Sequence, residues 1–324
     1  MMRYTKCLLV FCLLAAIFLS GCASPPSGDA PLTVAIAYQP GMGYAQLILM
    51  KQQHILERQF PQTHFIWTVQ NNGYNIRNEA IAGHVQVGAG AIGTFIIGWD
   101  RGVDWRMLIP LNVLNAWLMT NDPSIHSIRD IKPWMKIAVP SLDSITAMML
   151  RKAALETFGN AYALDANMIA ISQPDATKAL AAGKITLHFA TPPYCYQDKA
   201  AGSSVLLQSF DIWGPSTFNF VFMLNSFYDH YPVFAKTLYG DILAATHLIT
   251  TDPATAAQLL SQDQGGKPTA TQYTQWLHRT EVTFTNTPQE IMGDIHFMYS
   301  IGLIYRLPSA LSDIEFPPLY GIGS

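Results

Sequence analysis

Charge is scarce in this sequence. Asp, Glu, Lys and Arg together make up 13% of its 324 residues, and the formal net charge is −3. With no basic stripe and no charged block, the chain has no electrostatic footprint for a phosphate backbone, which argues against a nucleic-acid partner. Cysteine is scarcer still: three of the four (Cys7, Cys12 and Cys22) fall in the first 22 residues, and Cys195 stands alone beyond them. One thiol cannot build an internal disulfide framework. After the N-terminal segment no apolar run reaches about 18 uninterrupted residues, so no further stretch reads as a membrane span. Catalytic signatures are missing too. There is no G-x-S-x-G elbow, no H-E-x-x-H and no Cys/His cluster at metal-ligand spacing, and the nine histidines are scattered. The chain therefore reads as a non-enzyme with no catalytic residue, no metal site and no cofactor.

What is present begins at the N-terminus. Arg3 and Lys6 precede an uncharged apolar run from Cys7 to Phe18, followed by Leu19-Ser20-Gly21-Cys22. A basic start, a short apolar stretch and small residues before a cleavage point make a secretory signal, too short to span a bilayer with ease. The tetrapeptide resembles the bacterial lipoprotein signal, which implies cleavage before Cys22, lipid on its thiol and acylation of its new amino group. Residues 1–21 are then a signal peptide. Residues 22–31, rich in Pro, Ser and Gly, read as a lipid-anchored tether. Several acyl chains anchor firmly.

From Leu32 onward, short β-rich runs alternate with helical patterns. A strand over 32–38 leads through a Gly/Pro turn into a helix over 44–59, and a second strand runs over 64–69, which makes a βαβ unit. A helix over 74–82, a strand over 85–89 and further alternation over 107–119 follow. The pattern restarts at Lys136 with a strand, a helix over 144–158, a strand over 168–172, a helix over 175–182 and a strand over 185–190. A strand over 218–224 then precedes a mostly helical remainder. About 300 residues exceed one compact unit, so two α/β lobes are expected: 32–117 plus 218–324 as lobe 1, and 118–217 as lobe 2.

This organisation resembles the solute-binding proteins of the nitrate, sulfonate, taurine and thiamine-precursor ABC importers. The carriers of the resemblance are Val34 to Gly43 as strand and glycine turn, Asn78 to Gly88 as helix, glycine and strand, and Ser127-Ile128-Arg129-Asp130-Ile131-Lys132 before the second lobe. Ala176 to Ile185 followed by Pro192-Pro193, and Thr251 to Ala257, also match. The likeness covers nearly the whole chain beyond the tether. It implies the type II periplasmic-binding fold, an α/β architecture with a ligand cleft between two lobes, and a function in which lobe closure captures a small molecule for a membrane permease.

A rival motif is Gly88-Ala89-Gly90-Ala91-Ile92-Gly93, which fits G-x-G-x-x-G after a strand. A dinucleotide site also needs an acidic residue about 20 positions on to hold the ribose. That region here reads Leu108-Ile109-Pro110-Leu111-Asn112-Val113, without a carboxylate. The glycines are read instead as permitting close backbone approach or helix packing. Cys195, between Tyr194 and Tyr196, is read as a small buried hydrophobe rather than a nucleophile.

In such a fold the ligand sits where strand ends and helix N-termini of both sheets converge. The candidates from lobe 1 are Tyr38, Gln39 and Met42, then Asn71, Asn72 and Tyr74, then Gly90 and Ala91. Those from lobe 2 are Ser141, Asp143, Ser144 and Thr146, then Thr191, Tyr194 and Trp213. Core packing for Tyr38 and Trp213, and turn shaping for Asn71 and Asn72, are the competing roles. Asp143 either faces the ligand or caps the helix that follows it. No Lys or Arg falls in these loops except Arg77, just beyond one, so the expected ligand is a neutral or amine-bearing planar heterocycle such as a thiamine-precursor pyrimidine. An oxyanion carrier, or an enzyme of this fold acting on a pyrimidine-like or futalosine-like substrate, is the alternative. Hinges are expected near residues 115–119 and 217–220. The expected partners are the small ligand, an ABC permease in the inner membrane and the membrane that holds the lipid on Cys22, with the protein a monomeric lipoprotein in the periplasm or at the cell surface.

Overall fold

The computed structural model describes residues 30–317. The signal peptide, Cys22 and most of the tether lie outside the described residues.

Eleven strands form two sheets among the described residues. They are β1 (Thr33–Tyr38), β2 (His64–Val69), β3 (Val87–Ala91), β4 (Trp105–Leu114), β5 (Trp117–Thr120), β6 (Ile137–Val139), β7 (Met168–Ala170), β8 (Leu187–Ala190), β9 (Ser204–Gln208), β10 (Thr217–Leu224) and β11 (Val282–Phe284). The helices of the first half are α1 (Ala45–Gln52), α2 (Ile55–Gln59), α3 (Gly73–Ile81), α4 (Ile92–Asp100), α5 (Ile145–Phe158) and α6 (Gln173–Ala181). They are followed by α7 (Tyr194–Ala200), α8 (Ser209–Ile212), α9 (Asn225–His230), α10 (Pro232–Thr251), α11 (Pro253–Asp263), α12 (Ala270–Leu277) and α13 (Ile291–Ser300).

The first sheet has the order β11-β4-β10-β3-β1-β2 and the second β7-β6-β8-β5-β9. Within each, the early strands run parallel, as βα repeats require, and the returning strand is antiparallel: β10 against β3 and β4, and β5 against β8 and β9. The chain passes between sheets at Asn115–Ala116 and again between Trp213 and Ser216. Met119 and Phe220, expected in hinges, are interior to β5 and β10. The run over 107–119 is thus two strands in two sheets.

Burial explains the glycine motif. A Cβ on Gly88 would lie 2.3 Å from the Phe222 ring on β10, so the small residue admits an aromatic cluster in which Phe95, Trp105, Phe220 and Phe222 pack with centroids 4.7–6.4 Å apart. Fully burying such rings is worth roughly 2–3 kcal/mol each. The helix expected over 44–59 is broken because His54 adopts a left-handed backbone, φ 50°, and α2 restarts after it. No described helix is long and apolar enough to cross a membrane.

Candidate ligand cleft

The two sheets meet at a narrow cleft with about 50 Å³ of free interior space. Lobe 1 supplies Gln39, Pro40, Gly41, Gly43 and Tyr44 after β1, Asn71 and Gly73 after β2, Ala91 and Thr94 after β3, and Leu114, Phe218 and Asn219 from the strands near the crossings. Lobe 2 supplies Pro140, Ser144, Ile145 and Thr146 after β6, Gln173 at the start of α6, and Thr191 after β8. None of these side chains carries a charge.

The cleft is instead lined by helix beginnings, because every βα turn delivers its helix N-terminus to the same end of its sheet. Gly73 opens α3, Ala91 and Thr94 begin α4, Ile145 and Thr146 open α5, and Gln173 opens α6. The first amides of a helix have no partner within it, and together they carry a partial positive charge. At α5, Ser144 is the N-cap: its Oγ accepts the Ala147 amide at 3.3 Å. That leaves the amides of Ile145 and Thr146, with the Thr146 hydroxyl 3.1 Å from Ser144 Oγ. Ala91 offers no side-chain cap to α4.

The floor on the lobe 1 side is a buried polar chain. Gln39 Nε2 donates to Tyr44 Oη at 2.7 Å, and Tyr44 Oη donates to Asn219 Oδ1 at 3.0 Å. Asn112 Nδ2 fixes the loop from beneath by donating to Gly43 O at 2.6 Å. Burial pushes the Tyr44 phenol well above its usual range, so it stays a neutral donor. On the lobe 2 side, Gln173 Nε2 donates to Phe189 O at 3.0 Å and its Oε1 accepts the Thr191 amide at 3.1 Å, which fixes the loop after β8 against the start of α6.

Of the residues expected at the ligand, Gln39, Asn71, Ala91, Ser144, Thr146 and Thr191 line the cleft. The others are elsewhere. Asp143 neither faces the cleft nor caps α5: its Oδ2 accepts from Arg77 Nη1 at 2.7 Å, across the lobes. Tyr38 is 1% exposed in the core, its ring 6.2 Å from that of Tyr44. Met42 and Tyr194 line a separate cavity next to Pro193 and Tyr273. Asn72 is the N-cap of α3, accepting the Asn75 amide at 2.9 Å. Tyr74 is half exposed, its ring 5.0 Å from the Arg77 guanidinium. Gly90 lies inside β3, Ser141 is buried with its carbonyl accepting the Ser144 amide, and Trp213 stands edge to face with Phe297 at the return crossing. Tyr44, Thr94, Gln173 and Asn219 were missed; the first two follow expected loops by a few residues, whereas only the sheet order brings Asn219 here.

The lobes already touch. Met42 N donates to Pro192 O at 3.2 Å, Tyr162 Oη donates to Ile301 O at 2.6 Å, and a Cβ on Gly93 would lie 2.6 Å from Asp143 O. The third glycine of the G-x-G-x-x-G motif therefore serves lobe contact. Cys195 is fully buried and burial raises its thiol well above its ordinary pKa, so it remains protonated.

Among solved structures, the alkanesulfonate-binding protein of Xanthomonas axonopodis pv. citri bound to MOPS aligns with a TM-score of 0.70 at 17% identity, over 85% of this chain and 95% of that one. The periplasmic aliphatic sulphonate-binding protein of Escherichia coli gives 0.66 at 19%, over 90% and 99%. The periplasmic nitrate-binding protein of Synechocystis PCC 6803 gives 0.71 at 13%, over 89% and 87%. These likenesses establish the two-lobe periplasmic-binding fold expected from the sequence. No curated protein sequence matches. The NMT1-like family, however, matches residues 28–261, which spans lobe 2 and most of lobe 1, and the chain belongs to that family.

Proposed function

We propose that this protein is the extracytoplasmic solute-binding component of an ABC importer, held to the membrane by lipid on Cys22 and acting as a monomer that presents its closed form to a permease. The observation that carries this reading is the cleft itself, a space between two lobes, built from helix N-termini, amides and hydroxyls and free of charged side chains. Such a site orients and holds a ligand, and its lining places no His, carboxylate or Lys beside its hydroxyls to activate one as a nucleophile. The solved structures of similar fold are described as sulfonate- and nitrate-binding proteins, which supports a transport role.

The ligand class follows from the same geometry. With Asp143 engaged by Arg77, the cleft offers no carboxylate to an amine. The free amides of α4 and α5, with the hydroxyls of Thr94, Ser144 and Thr146, match an oxyanion head. Tyr44, Leu114, Ile145 and Phe218 match a short apolar body. A small organic sulfonate is the leading candidate. An uncharged planar heterocycle is the second reading, favoured by the amides of Gln39, Asn71, Gln173 and Asn219 around two aromatic rings.

Native mass spectrometry of residues 23–324 with an equimolar mixture of ethanesulfonate, taurine, nitrate and an aminopyrimidine tests both. Retention of one sulfonate, unchanged in mass, supports the leading reading. Retention of the pyrimidine alone transfers the assignment to the second, and conversion of any compound to a new mass contradicts a carrier.

A further inference from the structure

A second pocket, of about 490 Å³ and open to solvent, lies at the return crossing, where Trp213 before β10 faces α13 and the flank of α5. Asp294 of α13 lines it. The residue is 4% exposed, and the groups beside its carboxylate that can donate to it are the neutral Ser216 hydroxyl and Trp213 indole. A buried carboxylate met only by neutral donors is costly unless it is itself neutral or meets a cation. Burial accordingly raises its pKa to about 8, Ser216 and Trp213 acting against the rise and Glu290 adding to it. Two rings stand beside it, Trp213 and Phe297, with centroids 5.1 Å apart and planes at 86°. That wall already meets one ammonium, since Lys152 Nζ lies 6.0 Å from the Phe297 centroid while paired to Glu156. Glu290 sits exposed at the rim.

The guest's chemistry follows from what is there. No group of three or more metal-ligating side chains occurs among the described residues, so a bare divalent ion has no adequate donor set. A deep carboxylate beneath aromatic faces suits an organic ammonium, which gains both a counter-ion and cation–π contact. We propose that this cavity is a second binding site that takes a small organic ammonium ion, with Asp294 as its counter-ion and Trp213 and Phe297 as its walls. The site is independent of the ligand assigned to the interlobe cleft.

Binding ionises Asp294. Below its pKa the guest displaces close to one proton, so affinity rises with pH and levels off above about 8. Lys152 and Glu290 are the other charged groups that the cavity presents, the first opposing the guest and the second favouring it.

The test is calorimetric titration of the purified full chain with tetramethylammonium chloride, against sodium chloride as the ionic-strength control, in two buffers of different ionisation enthalpy. Saturable binding is expected, about tenfold tighter at pH 8 than at pH 6.5, with a heat at pH 6.5 that depends on the buffer because a proton is released. Asp294→Asn should weaken binding at least tenfold and Phe297→Leu several-fold, with cooperative melting retained. Should Asp294→Asn fail to fold, the wild-type proton release and Phe297→Leu decide. No saturable heat beyond the sodium control, or an affinity indifferent to pH and to these substitutions, overturns the proposal.

Discussion

Arg77 on α3 and Asp143 before α5 form an ion pair of 2.7 Å that joins the two lobes beside the cleft, with Arg77 almost fully buried. Arg77 Nη1 also lies 3.4 Å from Thr94 O, so the guanidinium ties the start of α4 to the same junction. The pair has two consequences: it engages the Asp143 carboxylate away from the ligand, and it makes lobe closure depend on a contact of the protein's own. A ligand shifts the open–closed balance only by its preference for the closed form, so a contact present only in that form adds directly to apparent affinity.

Substitution of either partner should therefore be unequal. Arg77→Gln leaves a partly buried carboxylate without its cation and should lower stability by about 3 kcal/mol, with ligand affinity falling as well. Asp143→Asn leaves the more deeply buried Arg77 guanidinium without its counter-ion and should cost more stability, about 4 kcal/mol, while weakening ligand binding about tenfold. Combining the two should recover part of the stability lost by Arg77→Gln. Denaturant titration of the four proteins checks this, and purely additive losses would refute the coupling.

Gly93→Ala places a methyl 2.6 Å from the Asp143 carbonyl, a backbone atom of the opposite lobe. The lobes then cannot approach as far. Ligand affinity should fall about tenfold while the melting temperature of the ligand-free protein changes little, since each lobe keeps its own core. Calorimetry and a thermal melt on the same preparation separate the two effects.

Tyr44→Phe removes a hydroxyl that accepts from Gln39 and donates to Asn219. Asn219 stays buried without that donor and the half-buried Gln39 loses its acceptor, at a cost of about 1–2 kcal/mol, and the cleft floor loses its fixed geometry. Stability and ligand affinity should fall together, in contrast to Gly93→Ala.

The pH profile of stability has a defined sign. Burial raises Asp294 to about 8 and Glu315 to about 7. Each holds its proton more tightly folded than unfolded, so the folded state binds more protons between the unfolded value near 4 and the folded value. Stability contributed by the neutral forms is present at low pH and is lost as pH rises through that interval. The melting temperature should decline from about pH 5 to about pH 8, and Asp294→Asn should flatten the decline.

Much of the fold was legible because βα repeats announce themselves by period, by the glycine that ends each helix, and by β-branched runs. Val34 to Tyr38, the restart at Lys136 and the return at Phe218 are all strands where periodicity places them. The three-residue β11 and the half-exposed β9 carry too little apolar alternation to be read. The break at His54 could not be foreseen, since a left-handed histidine leaves no mark in composition.

The cleft was legible only by loop. The loops after β1, β2, β3, β6 and β8 do border it, yet which residue of each turn points inward depends on where the helix begins. At the lobe 2 edge the cap is Ser144, one residue beyond Asp143. The partner of Asp143 lies 66 residues away on another sheet's helix, and Asn219 arrives through a strand that crosses back between β3 and β4. Spacing along the chain holds no record of either.

The most direct test of the central claim is the thermal unfolding midpoint of residues 23–324 recorded against increasing ethanesulfonate, with an aminopyrimidine and sodium chloride in parallel. A ligand that binds only the native state raises the midpoint with concentration. The account predicts a saturable rise with ethanesulfonate that diminishes in Gly93→Ala, and none with sodium chloride. A flat midpoint with both organic compounds, or a rise with ethanesulfonate that Gly93→Ala leaves intact, would contradict an interlobe cleft that closes on its solute.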